Sequence, residues 1–215
     1  MLIEKGSKLV MVGDSVTDAE RKRPVGEGRG DDMGRSYVAL VNALLTAVCP
    51  QERIRVVNMG IAGDTSRSLL ERFQKDVLDL EPDWLTIMIG VNDVWRQFDA
   101  PLQSEIHVNL DEYEGNLVRM LELCRDRVKQ TVLFTPVFME TNRNDEMREM
   151  LDSYSSAVRK TASSYGALLV DAQAAYDEAL RHMHSMNIAW DRVHPNMTGH
   201  MLIARAFLKS VDFVW

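Results

Sequence analysis

The chain has 215 residues, 46% of them hydrophobic and 27% charged, and a formal net charge of −7. That length fits one large domain with a sizeable core, and the acidic balance argues against a nucleic-acid binder, which normally shows a basic face. No apolar stretch approaches a membrane span, and the apolar run in "MLIEKGSKLVMVGDS" is too short for a signal peptide, so a soluble cytoplasmic protein is expected.

In chain order, "KLVMV" reads as a buried strand that stops abruptly at Gly13-Asp14-Ser15. A polar, Gly-rich loop follows, "RKRPVGEGRGDDMG", and then "SYVALVNALLTAV" at helical spacing. The segment from Arg21 to Arg35 is the best candidate for a mobile or partner-contacting loop. "IRVVN" is the second strand, ending at "MGIAGDTSRS", and a helix is expected to begin near Asp64, Thr65 or Ser66, each able to cap its first turn. Leu69, Leu70, Phe73, Val77 and Leu80 mark its apolar face, and Pro82 its end. "WLTIMIG" is a third strand, nearly all apolar as a strand covered on both faces should be.

After it come "VNDVWRQFDAP", a helix over about 110–128, the strand "TVLFTP", a helix over about 145–165, the strand "ALLVD" and a helix over about 173–183. A loop, "NIAWDRVHP", leads into the final helix. The alternation predicts an α/β fold: one domain over 1–215, a three-layer sandwich in which a parallel five-stranded sheet is covered by helices on both faces. The cysteines, Cys49 and Cys124, fall inside apolar helical patterns and read as buried free thiols.

Ligands of an open parallel sheet bind beyond the carboxyl ends of its strands. The first strand delivers Ser15, the second Asn58 to Gly63, the third Gly90-Val91-Asn92-Asp93, and the last connection carries Asp191 and His194. Together these are the parts of an acyl-transfer site. A serine hydroxyl needs an adjacent base, for which His194 is suited. The base needs a group to hold its tautomer, and Asp191, three residues earlier, can reach it on one tight turn. The Ser15 and Gly63 backbone N–H groups and the Asn92 amide are suitable oxyanion donors.

The blocks "GDSVTD", "NMGIAGDT", "GVNDVW" and "DRVHP" resemble, in order and spacing, the four blocks of the SGNH hydrolases, also called GDSL esterases. Each block alone is common; four in order, each after its strand, are specific. The resemblance covers nearly the whole chain, with Val16 where the family name has leucine. It implies a flavodoxin-like fold, Ser15 as nucleophile, Asp191 and His194 completing the triad, and Ser15, Gly63 and Asn92 forming the oxyanion hole. It implies neither metal nor cofactor.

A narrower resemblance, through "RPVGEG", "VNDVWRQFD", "LDEYE" and "AWDRVHPNMTGHMLIARAFL", is to intracellular bacterial acetylxylan esterases, which deacetylate short xylan fragments after import. It implies an acetylated sugar or oligosaccharide as the small-molecule partner. The other partners expected are further copies of the chain in a homo-oligomer, with no nucleic acid and no membrane. Asp14, Trp95 and Trp190 are expected beside the substrate. Asp14 is also suited to turn capping, and either Trp to stacking on a sugar or packing at a subunit interface.

Two other functions are open at this point. The same superfamily includes lysophospholipases and thioesterases, and the fold alone would suit a non-catalytic nucleotide- or carbohydrate-binding module. "GEGRG" follows no strand and lacks the Lys-Ser/Thr ending of a phosphate loop. His182 and His184 lack a third metal ligand and read as surface residues, and His200 as a structural residue of the last helix.

Overall fold

In the computed structural model, five strands alternate with eight α-helices over residues 1–214, the residues described. In chain order they are β1 (Lys8–Gly13), α1 (Ser15–Asp18), α2 (Tyr37–Val48), β2 (Arg55–Asn58), α3 (Ser66–Asp76), β3 (Trp84–Met88), α4 (Val91–Asp99), α5 (Leu110–Cys124), β4 (Gln130–Phe134), α6 (Glu146–Tyr165), β5 (Leu168–Val170), α7 (Ala172–Leu180) and α8 (Met197–Ser210).

All strand pairs are parallel, in the order β2-β1-β3-β4-β5. This is the doubly wound order of a flavodoxin-like sheet, the fold that the family resemblance implied, and its parallel strands are those expected from the alternation. Strand side chains alternate between faces, which explains the near-continuous apolar runs. Leu9, Met11, Trp84 and Phe134 pack on one side against α2, α7 and α8. Val10, Val12, Leu85 and Ile87 pack on the other against α3, α4, α5 and α6. No helix among the described residues is long and apolar enough to cross a membrane.

Two segments have more structure than their sequence suggested. Ser15–Asp18 forms a single helical turn, because the Asp14 side chain accepts the Val16 N–H and caps it. "VNDVWRQFD" forms the whole of α4, which the chain enters through Gly90 at φ +134. A Cβ there would also lie 2.8 Å from the Tyr113 hydroxyl, which donates to the Ile89 carbonyl.

The Arg21–Arg35 segment is tied to the body of the protein at several points, while residues 28–31 are exposed. Arg21 is buried and donates to the carbonyls of Gly60, Lys22 and Pro24. Arg23 pairs with Asp18, Gly26 bridges to Asn58, and the Asn58 amide donates to the Met33 carbonyl. The contacts to Gly60 and Asn58 span long stretches of chain and carry no local sequence signal. Of the two thiols, Cys124 is buried but Cys49 is only half-buried, at the end of α2, where its Sγ donates to the Leu45 carbonyl.

Candidate active site

Three strand ends and one distant turn build a rim at the carboxyl edge of the sheet. β1 ends at Gly13, where an added Cβ would lie 2.2 Å from the Met88 carbonyl oxygen. Only glycine lets β1 and β3 run this close before the chain turns at Asp14 and presents Ser15. The loop after β2 follows alongside, with Met59 N–H on the Met11 carbonyl and Ile61 N–H on the Gly13 carbonyl. The next residues are Ala62 and Gly63, the latter at φ +86 with no atom within 4 Å of the place a Cβ would take.

Asn92, in the first turn of α4, donates from Nδ2 to the Asp64 carbonyl at 2.9 Å. The side-chain amide therefore sits next to Gly63, and its second hydrogen is left for another acceptor. Among the described residues, the Ser15 and Gly63 N–H groups have no acceptor. Unengaged donors at a rim, held by backbone and buried side chains, are what an anionic oxygen requires.

The turn before α8 supplies the rest. His194 Nε2 lies 3.1 Å from Ser15 Oγ, and His194 Nδ1 lies 2.6 Å from Asp191 Oδ2. The other Asp191 oxygen accepts the backbone N–H groups of Val193 and His194, at 3.0 and 2.7 Å. Burial opposes the Asp191 charge. The His194 N–H, the imidazole and the Val193 N–H outweigh it and hold the carboxyl below its usual range. An ionised Asp191 fixes the imidazole with its proton on Nδ1, leaving Nε2 to accept from the serine.

Aromatic rings flank this histidine. Trp95 meets the His194 ring edge-on at 5.8 Å, and Trp190 stacks nearly parallel, at 12° and 6.2 Å. Trp190 is 81% exposed. A cleft of about 420 Å³ opens beside Trp95, bounded by Phe98, Asp99, Phe138, Asp145 and Arg192.

Asp14 requires a correction. It is 2% exposed and caps α1, one of the two roles its sequence position allowed, so it offers no surface to a substrate. Burial, reinforced by the nearby charges of Asp93 and Asp64, pushes its carboxyl up to about 7. Asp93 is also buried, and both its oxygens accept from the Ser66 N–H at 3.0 Å, so it fastens α4 to the first turn of α3. Burial raises it to about 6 against those bonds. Sequence reasoning missed Ser66 as that partner, and Arg72, which braces the loop at Gly63 by pairing with Asp64 at 2.6 Å. The pattern along α3 gave no signal for either, since both partners lie on other segments. His200 is 5% exposed, and burial lowers it to about 4, which fits its structural reading.

The model of the GDSL-like lipase/acylhydrolase family matches residues 11–202. The chain is similar to an acetylxylan esterase of Geobacillus stearothermophilus: 48% identity over 215 residues, covering 100% of this chain and 98% of that protein. The crystal structure of that enzyme matches with a TM-score of 0.98 over 100% of this chain and 98% of the other, at 48% identity. Its catalytic mutants S15A, D191A and H194A match with the same TM-score at 47% identity. An α/β hydrolase from the metagenome of Lake Arreo, Spain, matches with a TM-score of 0.97 at 48% identity, covering 99% of this chain and 98% of that one.

Proposed function

The chain belongs to the GDSL-like lipase/acylhydrolase family and is a carboxylic ester hydrolase, and we propose that it removes acetyl groups from xylan-derived oligosaccharides with Ser15, His194 and Asp191 as its triad. The observation that carries this reading is the hydrogen-bonded chain from Ser15 Oγ through His194 to Asp191, at 3.1 and 2.6 Å. The catalytic mutants described for the acetylxylan esterase fall on the same three residue types.

In the first half-reaction, Ser15 Oγ attacks the acetyl carbonyl while His194 Nε2 takes the hydroxyl proton. The carbonyl oxygen becomes an oxyanion against the Ser15 and Gly63 N–H groups and the Asn92 amide. The tetrahedral intermediate collapses with cleavage of the bond to the sugar oxygen, and His194 returns its proton to that oxygen. Water then attacks the acetyl-serine, giving up a proton to His194. The second collapse releases acetic acid, which ionises to acetate at neutral pH, and restores the Ser15 hydroxyl. Asp191 stays ionised throughout and stabilises the imidazolium.

The substrate assignment draws on the similarity to the acetylxylan esterase. It is supported by the aromatic walls at Trp95 and Trp190 and by the charged rim of the adjoining cleft, which suit the flat faces and hydroxyls of a sugar. Cytoplasmic action on imported fragments and a homo-oligomeric state belong to the same proposal. The exposed Trp190 and Met186 are in keeping with the latter, and light scattering measures it.

A substrate panel tests the reading. Acetylated xylo-oligosaccharides should be turned over much faster than phospholipids or acyl thioesters, and nitrophenyl esters should lose activity beyond butyrate; the reverse preference would overturn the substrate. Ser15→Ala should abolish ester hydrolysis without unfolding the protein, and retained activity would remove Ser15 as nucleophile.

A further inference from the structure

The Asp191–His194 turn is braced by a loop remote from it in sequence. Arg192, between the two triad members, stands at φ +67, a left-handed conformation that residues with a Cβ adopt rarely and at a cost. Its carbonyl accepts the Met139 N–H at 2.7 Å. Its guanidinium pairs with Glu140 at 2.5 Å and with Asp145 at 3.5 Å, and lies over the Phe138 ring at 5.0 Å. All four partners belong to the connection between β4 and α6.

That connection is itself anchored from below. Gln173, buried at the start of α7, holds both backbone groups of Phe138: Oε1 accepts its N–H at 2.7 Å and Nε2 donates to its carbonyl at 3.1 Å. Arg148, with no exposed surface, donates to the Glu140 carbonyl and pairs with Asp152 and Asp177. Burial opposes the Glu140 charge, but the Asn142 N–H and the Arg192 guanidinium hold its carboxyl below the usual range. The pair is therefore charged at neutral pH. A half-exposed ion pair adds little to folding stability, whereas one that fixes a strained backbone step next to a general base has geometric value.

We propose that Glu140 is a positioning residue for hydrolysis, holding Arg192 in the conformation that sets His194 Nε2 on Ser15 Oγ. The proposal rests on the Ser15–His194–Asp191 reading above. Glu140 touches no reacting atom; it acts through Arg192, and Met139 and Phe138 complete the brace. Losing the carboxylate lets Arg192 relax and moves the imidazole relative to the serine.

Glu140→Ala is expected to lower kcat for 4-nitrophenyl acetate about 10- to 100-fold, the scale of loss when a reacting group is displaced by about 1 Å, with KM little changed. Glu140→Gln keeps an acceptor for Arg192 and should recover most of that loss. Arg192→Ala should lose a similar factor, and the double variant no more than either single one. If Glu140→Ala does not fold, Arg192→Ala carries the same measurement. Arg143→Ala is the control: it breaks exposed pairs to Asp152 and Asp177 from the same connection and should leave both Tm and kcat close to the wild-type values.

Proton NMR follows the site directly. The short His194 Nδ1–H···Asp191 bond should give a low-field resonance in the wild type that shifts and broadens in Glu140→Ala while Tm stays close to that of the control. An unchanged resonance with unchanged kcat, or losses at Glu140 and Arg192 that multiply, would overturn the proposal. A wild type with no such resonance, together with an active Ser15→Ala variant, would instead overturn the triad reading, so the two failures are distinguishable.

Discussion

Replacing Asp191 by asparagine isolates the carboxylate charge from the shape of the turn. Oδ1 of Asp191 accepts from the Val193 and His194 N–H groups, an Asx-type turn that asparagine reproduces with its own oxygen. The folded turn should survive, and Tm should stay near the wild-type value. What changes is the atom facing His194 Nδ1, now an NH2 group. Two donors cannot share the 2.6 Å contact, so the imidazole moves its proton to Nε2 and presents a donor, not an acceptor, to Ser15 Oγ. A triad with the wrong tautomer loses about 10⁴ in kcat, equivalent to about 5 kcal/mol of transition-state stabilisation. Asp191→Ala should lose a comparable factor in kcat and also destabilise the protein, because nothing then accepts the two N–H groups. Initial rates with 4-nitrophenyl acetate, alongside thermal unfolding, measure both. An asparagine variant within about ten-fold of wild-type kcat would refute the role of Asp191 in setting the tautomer.

Two other predictions concern the groups around the nucleophile. Asn92→Ala removes one oxyanion donor and should lower kcat about 10²- to 10³-fold with KM nearly unchanged; a matching rise in KM would mean that Asn92 binds substrate and transition state alike. Asp14→Asn should alter the pH dependence of stability, because burial raises the Asp14 carboxyl from 3.8 to about 7. Between those values the folded state holds a proton that the unfolded chain has lost. The stability it contributes is present below about pH 4 and is lost as pH rises through 7. Asparagine mimics the neutral acid and caps Val16 in the same way, so the variant should gain on the wild type across that window, by at most about 4 kcal/mol for a shift of this size. A difference in Tm that does not change between pH 4 and 8 would contradict the buried-carboxyl account.

The parallel sheet was legible because strands buried on both faces leave an unmistakable apolar record, as in "KLVMV" and "WLTIMIG". The positions of Ser15, Gly63, Asn92 and His194 followed from asking what stands after each strand. Helix ends were legible where a side chain caps them, as Thr65 does for α3, and less so where packing decides, as at Cys124 in place of Val128 for α5. Of the two roles open to Asp14 in the sequence, the structure selects the cap. Adjacency to a nucleophile does not say which way a side chain points, and the capping bond to Val16 N–H turns it inward. The contacts that tie the Arg21–Arg35 segment to Gly60 and Asn58, and the Glu140–Arg192 pair, were invisible because the partners lie far away in sequence and no periodicity links them. Polar anchors of this kind are specified by three-dimensional proximity, and composition makes such loops look solvated.

The architecture also explains how a site assembled from four segments stays aligned. One half of the proposed site holds Ser15, Gly63 and Asn92, and the segments that carry them are locked to one another. Asn92 holds the Asp64 carbonyl, Asp93 holds Ser66, and Arg72 holds Asp64. The other half is the Asp191–His194 turn, tied instead to the β4–α6 connection through Arg192. The halves meet where Ser15 Oγ faces His194 Nε2 and where the Trp95 and His194 rings meet edge to face. Each half is preorganised by its own polar bonds, so neither has to reorganise as charge develops on the carbonyl oxygen. The hydroxyl proton crosses at the seam between them, and a shift of either half is felt there first. A surface pair such as Glu140–Arg192, contributing little to folding, can therefore weigh on the rate.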